Sequence, residues 1–152
     1  MEIISKNKYQ GRIIAISISK ERGVKKINVP EAILIENYGI KNDAHAGDWH
    51  RQISLLDISS INLIKNKLPG IKPGDFAENI TTEGLELFTM PVGTLINIGE
   101  DCLIQLTQIG KECKNRCIIF YTVGDCIMPK QGVFARVLKG GKIKVGDVIK
   151  VK

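Results

Sequence analysis

A chain of 152 residues with 43% hydrophobic and 25% charged residues has the make-up of one folded domain. It is long enough to bury a core without disulfide staples, and too evenly mixed for a disordered tract or an internal repeat. Lys and Arg number 22 against 16 Asp and Glu, so a formal charge of +6 favours anionic partners, a phosphate-bearing cofactor or a nucleic acid among them.

The amino terminus, Met1 to Lys6, has neither a long apolar core nor a small-residue cleavage site, and no apolar run approaches spanning length. A cytoplasmic location and no membrane partner are therefore expected. In that reducing compartment the four cysteines should stay thiols, which points to metal or redox chemistry, or to buried small hydrophobes, rather than a disulfide framework.

The predicted elements are mostly strands. Residues 11–19, 32–38 and 53–56 are short apolar runs, the first rich in Ile. The period then changes: Ile58, Ile61, Ile64 and Leu68 recur at helical spacing, with Asp57 placed to cap the start and Pro69-Gly70 to end the helix. Residues 94–98 and 102–108 flank Gly99-Glu100-Asp101 and should pair as a hairpin. Residues 133–138 and 142–145 flank Gly140-Gly141 in the same way, and Gly146-Asp147 turns the chain into a last strand over 148–151. The tail lysines, interleaved with Ile143, Val145, Val148 and Val151, read as the solvated face of a strand, and this tail is a candidate sheet edge whose charges resist pairing. Many short strands, glycine-containing turns and few helices predict a mainly β chain forming a compact barrel or sandwich, and argue against a parallel α/β sheet.

Two polar segments interrupt the strands. The first, residues 39–51, holds both histidines. His45 and His50 with Asp43 and Asp48 have metal-ligating chemistry, but their spacing matches no specific zinc pattern. Hydrogen bonds from Asp and His to the backbone of a tight loop explain them equally well. In the second, residues 73–84, Glu78 and Asn79 have the groups to orient a polar ligand. Asn79, Thr81 and Thr82 can instead satisfy backbone groups at a strand start, and composition alone leaves both readings open.

Three cysteines crowd one later stretch. Cys113 and Cys117 stand among Lys111, Lys114 and Arg116, cations that favour the nucleophilic and metal-binding thiolate, and Cys126 follows. Cys113, Cys117 and Cys126, with His45 as a fourth ligand, have the donors for a metal site, although the second closely spaced pair of a zinc knuckle is missing. Cys102, beside Leu103 and Ile104 in an alternating strand, reads as core.

These segments, in this order, resemble the MOSC family, named for the C-terminal domain of molybdenum cofactor sulfurase. The resemblance is carried by residues 42–47 (Asn-Asp-Ala-His-Ala-Gly) with Arg51, by residues 76–84, by Pro91-Val92-Gly93-Thr94 with Ile98-Gly99, by the cysteine segment, and by residues 132–138 with Gly140-Gly141 and Val145-Gly146-Asp147. It spans nearly the whole chain, residues 1–152 being read as one domain, and is nearest to the small stand-alone bacterial members.

The resemblance implies a β-barrel with one or few short helices that binds the molybdenum cofactor, a pterin dithiolene with a phosphate, or a precursor of it. It further implies molybdenum ion binding by a cysteine, or a cysteine that carries sulfur as a persulfide. Both Cys113 and Cys117 lie where that cysteine is expected, with Cys126 third. Asp43, His45, Glu78, Asn79, Thr81 and Lys111 fall in the matching motifs, and Lys41, Arg51 and Arg136 are the cations suited to the cofactor phosphate, Arg being the better bidentate partner. The expected partners are a cysteine desulfurase-like sulfur donor and a molybdoenzyme or cofactor-biosynthesis protein. The chain has no room for the additional barrel domain of the larger catalytic members or for a pyridoxal-phosphate domain. A sulfur-carrier, transferase or accessory role is therefore expected in place of a complete reductase. A zinc-stabilised binding module using the three clustered cysteines is the alternative. Nucleic-acid binding ranks below both, because only 5% of residues are aromatic and no stacking motif interleaves the basic ones.

Overall fold

Ile13 and Ile16 of the first strand both point into the core although three residues apart, because a bulge between Ile13 and Ala15 resets the alternation. The computed structural model describes residues 9–22, 24–110 and 131–152. In chain order these form β1 (Gln10–Ile18), β2 (Ile27–Val29), β3 (Glu31–Ile35), β4 (Gly39–Ile40), β5 (Ile53–Asp57), α1 (Ile58–Asn62) and β6 (Ile80–Glu83). A 3-10 turn at Leu87–Thr89 leads to β7 (Leu95–Ile98), β8 (Cys102–Ile109), β9 (Val133–Lys139), β10 (Gly141–Lys144) and β11 (Val148–Val151).

Seven strands close into a barrel in the order β11-β7-β8-β9-β5-β6-β1, sealed by antiparallel pairing of β1 with β11, and β2 is added on the far side of β1. Only β5 and β6 run parallel among these pairs. A smaller sheet, β10-β3-β4, packs beside the barrel. The mainly β barrel expected from the sequence is the fold observed.

All five residues of β5 are buried, which follows from its position. Ile53 and Leu55 face the barrel core with Ile13, Ile104, Val133 and Ala135. Leu56 faces outward into a second cluster with Ile61, Ile71, Phe76 and Phe134. A strand covered on both faces needs a near-continuous apolar run, and each fully buried Leu, Ile or Phe contributes about 1.5–3 kcal/mol.

Three sequence expectations are corrected. The helix is shorter than the predicted span: Asp57 caps it, accepting from Ser59 N and Oγ, but regular α-helix ends at Asn62. Leu63, Ile64 and Lys65 then donate to the carbonyls three residues back, the tighter pattern of a fraying end, while Ile64 and Leu68 still lean on the outer cluster.

Next, β9 and β10 do not pair across Gly140-Gly141. β9 lies between β8 and β5, and β10 crosses to β3. The crossing needs glycine, since a Cβ on Gly140 would stand 2.4 Å from the carbonyl oxygen of Leu34. Finally, the tail is mostly enclosed: β9 and β11 are each paired on both sides, and β10 alone of the tail strands lies at a sheet end. Among the described residues no helix is long and apolar enough to cross a membrane.

Candidate functional site

On the outer wall of the barrel the alternation of β9 sends Val133, Ala135 and Val137 inward and leaves Phe134 and Arg136 on the other face. Gln108 of β8 lies opposite Phe134, and Gln105 opposite Arg136. The chain entering β5 lays Trp49, His50 and Arg51 beside this face. The guanidinium carbon of Arg51 sits 4.7 Å from the Trp49 ring centre and 5.5 Å from that of Phe134, so two aromatic rings hold one cation. Arg22 approaches Trp49 as well, at 4.6 Å, and donates from Nε to the carbonyl of Ala44. His50 Nε2 and Gln108 Oε1 are hydrogen-bonded at 2.8 Å.

Two groups on this face are left over. Among the described residues, the buried Nε atoms of Arg51 and Arg136 have no hydrogen-bond partner, and neither arginine is in an ion pair. A buried, unpaired donor on a cation is costly, so a site with two of them is complementary to an acceptor-rich anion.

The loop that delivers Trp49 and Arg51 is anchored by a buried ion pair. Asp43 Oδ1 accepts from Lys26 Nζ at 2.8 Å and from Ser19 N at 3.0 Å, and Oδ2 accepts from His45 N at 3.0 Å. Burial alone would raise the Asp43 carboxyl, but the Lys26 ammonium and the two backbone donors outweigh it and hold the group below its ordinary value. From this anchored turn the His45 carbonyl accepts from Trp49 Nε1 at 2.7 Å, which fixes the indole.

Residues 74–82 are built into the wall beside it. Asn79 Oδ1 accepts from Ser54 N and Oγ, and its Nδ2 donates to the Ser17 carbonyl. Glu78 Oε2 accepts from Gly74 N at 3.0 Å and from Thr81 Oγ1 at 2.7 Å, while Oε1 is buried with no partner among the described residues. Burial pushes the Glu78 carboxyl above its ordinary value despite these donors.

Of the sequence candidates, then, Arg51 and Arg136 lie on one face, each beside Phe134 or in register with it. His45 is buried in the supporting turn, and Asp43, Asn79 and Thr81 have their polar atoms engaged within the wall and its loop. Lys41 is exposed beside Ile33, in a groove that includes neither arginine. Cys102 is buried in the barrel core. Lys111, Cys113, Cys117 and Cys126 lie outside the described residues. Among the described residues no three His, Cys, Asp or Glu side chains are grouped to hold a metal ion.

Sequence reasoning missed Lys26, Arg22, Trp49, Phe134 and Gln108. The single Trp adjoining Arg51 was a usable signal; Lys26 had none, since its partner is 17 residues away.

Residues 42–150, well over half of the chain, match the MOSC domain. The chain belongs to the MOSC family. As a MOSC domain it sits in a family associated with the biology of the molybdenum cofactor. Its fold is shared with the YuaD protein of Bacillus subtilis, at a TM-score of 0.77 and 18% identity over 93% of this chain and 95% of that one. YiiM from Geobacillus stearothermophilus is similar at a TM-score of 0.69 and 18% identity, covering 93% and 75%. YiiM from Escherichia coli is similar at 0.64 and 20%, covering 93% and 69%. Proteins of curated function gave no match in sequence.

Proposed function

We propose that this MOSC domain binds the molybdenum cofactor or a precursor through its phosphate, with Arg51 and Arg136 as the anion-binding pair. The observation that carries this reading is the pair of buried Nε atoms, one on each arginine, for which the described residues supply no acceptor. A phosphate offers several acceptor oxygens, and guanidinium groups can bind them in bidentate fashion. Trp49 and Phe134 hold the Arg51 guanidinium in one orientation, so little side-chain freedom is lost on binding.

When bound, the cofactor supplies a molybdenum centre held by dithiolene sulfur. The protein's own contribution is to orient the phosphate and to supply a cysteine as ligand or sulfur carrier, Cys113 or Cys117 by the family resemblance. In the carrier form of this reading the cysteine thiolate attacks the outer sulfur of a donor protein's persulfide. A new S–S bond forms on this chain, the donor's thiolate leaves, and no net oxidation occurs.

Titration calorimetry with inorganic phosphate and with the pterin phosphate tests the anion site. Arg51→Ala and Arg136→Ala are each expected to weaken binding by about 10- to 100-fold, the equivalent of a charged hydrogen bond. Equal affinities in wild type and both variants refute it. For the carrier step, mass spectrometry after incubation with a sulfur donor should show a reduced persulfide load in Cys113→Ser or Cys117→Ser. An unchanged load in both eliminates the step.

A further inference from the structure

Where the end of the barrel meets the smaller sheet, an apolar groove reaches the surface that shares no lining residue with the Arg51 face. Ile18, Val29 and Ala32 are half-buried and pack on the barrel core, so the core itself comes to the surface here. Beside them Val24, Ile27 and Ile33 are exposed, Ile27 to 73%. Two adjoining hollows of about 690 and 310 Å³, both lined by Ile18 and Asn42, make up the groove from the β1–β2 connection to β3. β2 also ends its sheet and, among the described strands, pairs only with β1.

Charge selects the occupant. Lys20, Lys25 and Lys41 line the groove, and none forms an ion pair among the described residues. Of the two acidic residues lining it, Glu31 is tied to Lys142 at 2.7 Å, which leaves Glu21. A second copy docking symmetrically on this face would bring two lysine-lined surfaces together, and such like-charge juxtaposition is unfavourable. A flat lipid surface would not fill a concave groove.

We propose that the groove is the docking site for an extended acidic segment of a partner protein. Such a segment sets an apolar side chain against Ile18 and Ile27 and its carboxylates against Lys20, Lys25 and Lys41. This surface is independent of the anion site and stands or falls separately from it.

Fluorescence anisotropy with labelled short peptides alternating Glu and Leu, and a matched set alternating Lys and Leu, provides the test on the full chain. The Glu set should bind wild type and weaken as salt rises, and the Lys set should not bind. Ile27→Glu and the double variant Lys25→Glu/Lys41→Glu should each weaken the Glu set by about tenfold or more. Their thermal unfolding should match wild type, because the replaced side chains are exposed. The proposal is overturned if neither set binds, if both bind alike, or if the substitutions leave affinity unchanged. It is equally overturned if Ile27→Glu abolishes self-association in sedimentation, or binding to phosphatidylglycerol vesicles, while the Glu peptides do not bind.

Discussion

The ammonium nitrogen of Lys26 lies 2.8 Å from Oδ1 of Asp43, and both side chains are withdrawn from solvent. The pair ties the end of β1 to the loop that carries Trp49 and Arg51, because the same carboxylate also holds Ser19 N and His45 N. Removing one partner leaves the other charge buried and uncompensated. Lys26→Met is therefore expected to destabilise the fold by about 3–5 kcal/mol, read from urea unfolding. A loss below about 1 kcal/mol would mean that the pair is hydrated in solution.

Two buried carboxylates should act on stability with opposite pH dependence. Asp43 titrates below its ordinary 3.8 in the folded state, so its stabilisation is present above that pH and is lost as pH falls through the folded value. Glu78 titrates above its ordinary 4.5, so its contribution is fully present below that pH and is lost as pH rises through the folded value. Glu78→Gln keeps an acceptor for Gly74 N and Thr81 Oγ1 without the buried charge. Its stability relative to wild type should increase from pH 4 to pH 7 in denaturant titrations. A constant difference would show that Glu78 is not responsible.

Trp49 is the only tryptophan, and its ring holds Arg51. Its emission should change when inorganic phosphate or the pterin phosphate occupies the proposed anion site, and Arg51→Ala should abolish the change. Arg51→Lys keeps the charge but loses the planar fork and its stacking, so it should recover less than half of the binding free energy lost in Arg51→Ala. Full recovery by lysine would show that charge alone matters.

Backbone contact at Gly11 is closer still than at Gly140, for a Cβ there would stand 2.1 Å from the Glu83 carbonyl oxygen. Gly11→Ala must push β1 away from β6 and is expected to cost about 3 kcal/mol or more in chemical denaturation. Gly70→Ala, with nothing within 4 Å of its Cβ, should change stability by about 0.5 kcal/mol or less.

Cys102 is buried, and burial followed by the nearby Asp101 and Asp147 charges pushes its thiol pKa up. In the native protein at pH 8, iodoacetamide should leave Cys102 unmodified, and denaturation should expose it to labelling, as read by peptide mass mapping. Rapid native labelling of Cys102 would contradict its place in the core.

Most strands were legible because their signal is local, whereas β2 and β4, only three and two residues long, were not. Alternation in β7, β8 and β11 and the apolar run of β5 can be read within a few residues, and Asp57 announced the start of α1. The pairing of β9 was not legible, because Gly140-Gly141 suits a tight hairpin as well as a change of sheet. The choice rests on the Leu34 carbonyl against which Gly140 packs. The bulge in β1 was hidden for the same reason, since only pairing with β6 reveals the extra residue.

By itself the amino-acid sequence determined a mainly β domain, its MOSC kinship and a short roster of polar and sulfur-bearing candidates, because periodicity and motif order are properties of neighbouring residues. Tertiary structure alone decided how those candidates divide. Closure of the barrel engages Asp43, Asn79 and Thr81 in internal hydrogen bonds, buries Lys26 against Asp43, and leaves Arg51 and Arg136 on one face with donors unmatched among the described residues. Whether a polar group is satisfied depends on partners brought to it from distant parts of the chain, and no local pattern records them.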